Sequence, residues 1–250
     1  MIPRFCCPPP LVPRSLVELP PATSHHALRV LRLGVGDALT LFDGTGGEYP
    51  GRIVEAGRVV RVQLAEWCDI ERESPLELIL AQALPAGDKM DWVVQKAVEL
   101  GVARIQPLGA ARSVVKLSGE RAARRVEHWR QVALAACEQC GRNRLPVIAP
   151  ILDLRQWLGG LAQDNGMLRL LLAPGAGRRP RELVGELAGK LAGESRMTLL
   201  VGPEGGWSDD EANAARAAGF SGLTLGPRIL RTETAGPAAL AALGALHGDL

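Results

Sequence analysis

The sequence predicts an α/β protein in two parts, a small N-terminal β-barrel over residues 1–72 and a parallel-sheet α/β domain over residues 73–250. Three observations carry this expectation. Short alternating segments separated by glycine turns follow residue 37. From Leu76 onward apolar runs alternate with helical patterns, as a parallel sheet with crossover helices requires. Between Met197 and Ala235 two apolar strands are each followed by a Gly-containing loop, and each loop opens a helix. At 250 residues the chain is long enough to bury a core in one large domain or two modest ones.

Taken in order, Pro3, Pro8, Pro9, Pro10, Pro13, Pro20 and Pro21 keep the beginning irregular. Ser24 is then expected to cap a short helix, HHALRVLRL, that Gly34 ends and whose Leu28 and Leu31 share a side. Strands follow at Ala38–Phe42, Glu48–Glu55 and Val59–Leu64, with Asp43 to Gly47 as a turn. His25, His26, Arg29 and Arg32 are the functional candidates of this module. Arg29 and Arg32 are three apart, hence neighbours on a helix, and suited to two phosphates. The same pattern also reads as a solvated helix face, and the acids Asp37, Asp43, Glu48 and Glu55 leave the module's overall charge undecided. Glu66 to Ser74 is the expected linker.

In the second part, Leu76–Leu84 is a buried strand, Asp88 a candidate cap for KMDWVVQKAVEL, Gly101 its stop, and Val102–Pro107 the next strand. Ser118 opens a helix ending at Gly141, with Ala122, Val126, Trp129, Ala133 and Ala136 as its buried stripe. Arg121, Arg124, Arg125 and His128 lie on another face. From Lys89 to Arg144 there are eleven Lys and Arg residues against five acids, a concentration suited to a phosphate backbone or to an ordinary solvated helix. Met167–Ala173 is a further strand, Pro174–Pro180 a loop and Arg181–Leu191 a helix.

Met197–Val201 leads into Gly202, Pro203, Glu204, Gly205 and Gly206, a backbone able to turn tightly with N–H groups exposed. Ser208 and Glu211 form a capping-box pattern, and Gly219 stops that helix. Leu223–Leu225 is the second strand, Gly226 and Pro227 turn it, and Thr232 or Thr234 caps an Ala- and Leu-rich terminal helix that packs within the domain or on a partner subunit. Two such loops at the carboxyl ends of neighbouring strands make a small-molecule site.

Composition adds bounds. A 47% hydrophobic and 22% charged chain with a net charge of +2 is ordinary for a globular protein, so any nucleic-acid surface must be local. Neither an apolar run of membrane-spanning length nor a secretory segment is present, which points to a cytoplasmic protein without a membrane partner. Five cysteines, an odd number, fit a reducing compartment. Cys137 and Cys140 have C-x-x-C spacing but no second ligand pair, so they read as small residues near a helix end and no metal is expected.

LLVGPEGG followed by LGPRILRTETA resembles the RsmE family of 16S ribosomal RNA uridine N3 methyltransferases, of the SPOUT (α/β-knot) superfamily. QKAVELGV, RSVVKL, GER and EQCGRNRLP resemble segments of the same family, and HHALRVLRLGVGDALTLFDGTGGEY resembles the PUA-like RNA-binding domain that precedes its knot. The resemblance implies S-adenosyl-L-methionine as methyl donor, a C-terminal trefoil knot, a homodimer with active sites at the interface, and a target at uridine 1498 of 16S rRNA in the small ribosomal subunit. It places the cofactor against Leu172, Ala173, Gly202, Pro203, Glu204, Gly205, Leu225, Gly226, Ile229, Leu230, Arg231, Thr234 and Ala235. It places RNA against His25, Arg29, Arg32, Arg112, Lys116, Arg121, Arg125 and Arg142.

Uracil N3 carries a proton and is a poor nucleophile until that proton leaves, so the reaction needs a base or a cation that stabilises the uracil anion. Arg231 is the candidate cation and Glu233 the candidate base, with Glu204 as a rival; a loop carboxylate beside an arginine is also read as its ion-pair partner. Other readings are an RNA-binding module with a non-catalytic ligand site, and a SPOUT methyltransferase for another RNA nucleotide. A Rossmann-type enzyme lacks its G-x-G-x-x-G fingerprint here, and there is no Walker A motif.

Overall fold

The computed structural model describes residues 2–161, 167–175, 177–183 and 196–250. The chain forms two compact units, Met1–Glu73 with Cys137–Leu145, and Ser74–Ala136 with Pro146–Leu250.

The first unit is a five-stranded mixed sheet. β1 (Arg4–Cys6), β2 (Leu16–Glu18), β3 (Ala38–Phe42), β4 (Tyr49–Ala56) and β5 (Val60–Leu64) pair in the order β1-β3-β4-β5-β2. β1 runs parallel to β3 and the other pairs are antiparallel. Alternation puts Leu39, Leu41, Ile53, Val60 and Val62 in one core with Phe5 and Leu19. β1 and β2 lie in the Pro-rich stretch expected to be irregular. Proline is tolerated at strand starts and edges, so Pro3 and Pro13 do not prevent the intervening residues from pairing.

The first helix, α1 (Pro21–His25), begins earlier than expected and continues as a π-helical turn over His26–Val30. Pro21 occupies the first turn, where its missing N–H costs nothing. Ser24 is therefore not the cap. It is buried inside the helix, where its hydroxyl donates to the Leu19 carbonyl (3.1 Å) and accepts from the Val60 N–H (3.2 Å). The helical stretch stops at Val30, and Arg32 lies beyond it at φ 57°, so the expected i, i+3 pairing of Arg29 with Arg32 is not made. Leu28 packs against the core while Leu31 is exposed.

The expected linker is tied down by charge. Glu48 accepts from Arg4 (2.5 Å), Asn143 (3.2 Å) and Arg72 (3.3 Å), and Arg4 also donates to the Asn143 amide oxygen at 2.5 Å. Asn143 donates to the Ile70 carbonyl (2.6 Å), and Glu73 holds Arg142 at 2.5 Å.

The second unit is an α/β sheet of seven strands, all parallel. β6 (Glu77–Ala83), β7 (Arg104–Gly109), β8 (Val147–Ile148), β10 (Met167–Leu172), β11 (Arg196–Val201) and β12 (Ser221–Leu223) run in the order β12-β10-β11-β6-β7-β8, and β9 (Leu152–Asp153) also pairs with β7. β10 thus lies between β11 and β12, and the two glycine loops flank a third strand end instead of adjoining. The helices are α2 (Lys89–Glu99), α3 (Gly119–Cys140), α4 (Leu154–Gly159), α5 (Asp209–Ala217) and α6 (Thr232–His247). β8, β9 and α4 were not anticipated; two-residue strands carry almost no periodicity to read. Of the helix expected over Arg181–Leu191, Pro180–Leu183 is a 3₁₀ turn and the remainder lies outside the described residues.

α3 buries Val126, Trp129, Ala133 and Ala136 as expected, while Ala122 of the expected stripe is only half-buried, and the Trp129 indole N–H donates to Asp91 of α2 at 3.1 Å. Asp88 makes no capping bond; its carboxylate binds Arg125 at 3.0 Å. α6 packs on α2 and on β6 and β11 within the domain. A Cβ on Gly236 would come within 3.3 Å of Gln82 and 3.4 Å of Leu80, so the small residues of this helix permit its close approach to the sheet.

Replacing Glu48 by Gln leaves Arg4, only 11% exposed, without its counter-charge, and is expected to cost about 3 kcal/mol at neutral pH, measured by urea unfolding. Burial pushes the Glu48 carboxyl up, but its bonds from Arg4 and Asn143 outweigh this and hold it below its usual 4.5. Its contribution is therefore complete above about pH 4.5 and fades as pH falls through the depressed folded value, so wild type and variant converge in acid.

Candidate functional site

The carboxyl ends of β10, β11 and β12 open into one cavity of about 520 Å³, walled by Leu171–Pro174, by Val201–Glu204 with Gly206 and Trp207, by Thr224–Gly226 with Arg228–Arg231, and by Thr232 and Ala235 of α6. Lys89 of α2 and Ala212 and Arg216 of α5 complete it. A parallel sheet places every strand's carboxyl end on the same edge, which is why segments sixty residues apart converge there.

Local chemistry shapes each wall. Gly206 at φ 66° closes a turn, its N–H donating to the Pro203 carbonyl at 2.9 Å. Ser208 and Glu211 make both bonds of a capping box, and the second Glu211 oxygen accepts from the Ala111 N–H at 2.7 Å. Trp207 is thereby held with its indole over Gly202, where a Cβ would lie 3.1 Å from the ring. Its Nε1 is buried with no hydrogen-bond partner among the described residues, while the residue itself lines the cavity.

Thr232 does not cap α6 with its side chain, and neither does Thr234; Arg231 holds the cap position through its backbone. The Thr232 hydroxyl instead donates to the Gly202 carbonyl (2.5 Å) and accepts from the buried Gln82 amide (3.0 Å). It joins the glycine loop, the terminal helix and a central strand.

Charge gathers at the rim. Lys89 Nζ lies 3.1 Å from Glu204 and 3.4 Å from Glu233. Burial pushes the Glu204 carboxyl up, but the Ala86 N–H, its own N–H and Lys89 prevail and hold it below the usual carboxylate value. The bond to Glu204, outweighing some desolvation, raises Lys89. The Arg231 side chain is exposed at the mouth, with Arg228 and Arg216 beside the same cavity.

Of the residues expected at the cofactor, Leu172, Ala173, Gly202, Pro203, Glu204, Leu225, Gly226, Ile229, Leu230, Arg231 and Ala235 line the cavity. Gly205 does not: it turns toward Arg112, which donates to its carbonyl at 3.0 Å. Thr234 is also outside, exposed on the outer side of the first turn of α6. Sequence reasoning missed Lys89, Arg216, Arg228 and Trp207. The last three sit within or beside the motifs and were open to discovery, whereas Lys89 lies more than a hundred residues before them.

The residues expected at RNA divide. His25, Arg29 and Arg32 are exposed on the first unit, and Lys116 and Arg121 are exposed on the second. Arg125 is half-buried, paired with Asp88 and stacked over Trp129. Arg142 is a correction: its side chain is 5% exposed and bound to Glu73, so it is not presented to a ligand. Burial pushes the thiol of half-buried Cys6 to about 11 and those of buried Cys7 and Cys137 to about 12, away from the thiolate form. Among the described residues no group of three or more His, Cys, Asp or Glu is placed to hold a metal ion, and no helix is long and apolar enough to cross a membrane.

Residues 72–244 match the family model of an RNA methyltransferase domain, and residues 19–62 that of an RNA methyltransferase PUA domain. The chain is 34% identical over 232 residues to the ribosomal RNA small subunit methyltransferase E of Bacillus subtilis, covering 90% of each. It is similar over 100% of both chains to a solved ribosomal RNA small subunit methyltransferase E from Neisseria gonorrhoeae bound to S-adenosyl methionine, with 36% identity and a TM-score of 0.89. A structure from Legionella pneumophila with the cofactor SAM bound is 38% identical, with a TM-score of 0.91 over 100% of both chains.

Thr232→Val keeps the shape of the side chain but removes both of its bonds at the base of the cavity. It is expected to destabilise the protein by about 2 kcal/mol, read as a lowered urea midpoint, because the buried Gln82 amide loses a partner.

Proposed function

The chain belongs to the ribosomal RNA small subunit methyltransferase E family and is an S-adenosyl-L-methionine-dependent rRNA methyltransferase, and from that premise we propose that it methylates N3 of a specific uridine in the 16S rRNA of the small ribosomal subunit. The observation that carries the site assignment is the 520 Å³ cavity walled by both glycine-containing loops. Its size lies within the ~300–1,000 Å³ range of small-molecule sites. Leu172, Val201, Leu225 and Leu230 offer apolar walls, and the loop backbone offers polar edges.

S-adenosyl-L-methionine, when bound, supplies a methyl group on a sulfonium centre. The chain's own residues must hold the uridine and accept the proton from its N3. Glu233 is assigned as acceptor. Glu204 is the rival: burial pushes its carboxyl up, but its bonds to Ala86 and Lys89 hold it below the ordinary value. Arg231, exposed at the mouth, is assigned to the uracil anion or to a flanking phosphate. His25, Arg29, Arg32, Lys116, Arg121, Arg112 and Arg125 form the RNA grip, with the five-stranded unit as its RNA-binding module. The reading includes a C-terminal trefoil knot, a homodimer with active sites at its interface, and a cytoplasmic place of action. The passage of the chain from β11 past β10 to β12, and the return of α6 onto β6 and β11, support the knot.

Labelled S-adenosyl-L-methionine should transfer methyl to small ribosomal subunits or free 16S rRNA from a strain lacking the endogenous activity, and nucleoside analysis should find 3-methyluridine. Donor binding without label in either RNA would instead favour a non-catalytic binder or another RNA target. Glu233→Gln should lower kcat about 100-fold or more; full transfer by this variant rejects Glu233 as the acceptor.

A further inference from the structure

We propose that Lys89 is a positioning residue: its ammonium bridges Glu204 of the first cavity loop and Glu233 of α6, and so holds together two walls of the methyl-donor site. The inference rests on the reading of this cavity as the donor site. Three independent observations lead to it.

The first is geometry. One nitrogen lies 3.1 Å from Glu204 Oε1 and 3.4 Å from Glu233 Oε2. The buried Glu233 Oε2 has no hydrogen-bond partner besides this ion pair. Glu204 is further fixed by the Ala86 N–H at 3.0 Å, on the turn that precedes α2. The bridge therefore links three chain segments that are otherwise more than a hundred residues, or nearly thirty, apart.

The second is a local cost. Lys89 is the first residue of α2, where the exposed N–H groups of the helix carry partial positive charge and disfavour a cation. A lysine in that position conflicts with helix electrostatics unless something else requires it. Two carboxylates on one ammonium supply that compensation. Their shared position also means that without Lys89 two like charges face each other at a half-buried rim, which would push the loop and the helix apart.

The third is placement. Lys89 itself lines the cavity, and α2 is the helix on which α6 packs. The bridge thus couples the position of the terminal helix to that of the loop. It leaves the cluster with one net negative charge beside a cavity assigned to a cationic donor.

Lys89→Met and Lys89→Arg separate this role from a general effect on folding. In the unliganded protein, Lys89→Met should accelerate amide hydrogen exchange in residues 204–206 and in residues 231–235 together. It should weaken S-adenosyl-L-methionine binding, by calorimetry, by roughly tenfold, the scale expected for breaking a partly desolvated charge bridge. Lys89→Arg, which keeps the charge, should recover most of both effects. Lys89→Met and Glu204→Gln should be non-additive in affinity, because they remove the same contact. Exchange and affinity unchanged in Lys89→Met would overturn the proposal, as would an arginine variant as impaired as the methionine one or fully additive effects. The exchange measurement needs no donor and no RNA, so a wild-type protein that fails to methylate rRNA defeats the functional reading without touching this result.

Discussion

The hydroxyl of Thr232 is the contact on which the site depends. It sits at the first turn of α6, gives its hydrogen to the Gly202 carbonyl and takes one from the buried Gln82 amide on β6. A loop at the end of one strand, the start of the last helix and a central strand are held at one point. Because Thr232 and Gln82 are buried, losing this contact removes hydrogen bonds that water cannot replace, and that penalty makes the arrangement specific. The remaining walls follow from it. α6 can lie this low only because Gly236 leaves room over Leu80 and Gln82, and the loop can close only because Gly206 adopts positive φ.

A second layer, built from charge, surrounds this anchor. Lys89 joins Glu204 of the loop to Glu233 of α6, and Arg112, beyond the end of β7, donates to the Gly205 carbonyl. The first unit uses ion pairs in a comparable way: Arg4, Arg72 and Asn143 converge on Glu48, and Arg142 is folded into Glu73. Basic residues in this chain therefore do two kinds of work. Some build the scaffold, and others, such as Arg29, Arg121 and Arg231, remain exposed. The excess of positive charge between Lys89 and Arg144 cannot be assigned wholesale to RNA. Each member has to be judged by what it already holds.

Sequence patterns were most informative where interactions are local. The Ser208–Glu211 capping box, the positive-φ glycines 101, 219 and 226 and the buried stripe of α3 all involve residues within a few positions of one another. They failed where a distant group competes for the same side chain. Ser24 and Asp88 look like caps, yet Ser24 serves Leu19 and Val60, and Asp88 serves Arg125. Thr234 and Gly205 belong to the right motifs but face out of the cavity, since motif spacing does not state which side of a turn faces the ligand.

By itself the sequence determined the element types, the apolar strands, the two glycine-containing loops and, through their long fixed-spacing motifs, the family. These properties are encoded in backbone preference and in side chains repeating at the period of a helix or strand. Only the tertiary structure decided the strand order that inserts β10 between β11 and β12, the burial of Arg142, and the meeting of Lys89 with Glu204 and Glu233. The physical reason is range. Pairing partners separated by more than a hundred residues are selected by how the whole sheet stacks and which charges it must neutralise, and no local stretch of chain records that choice.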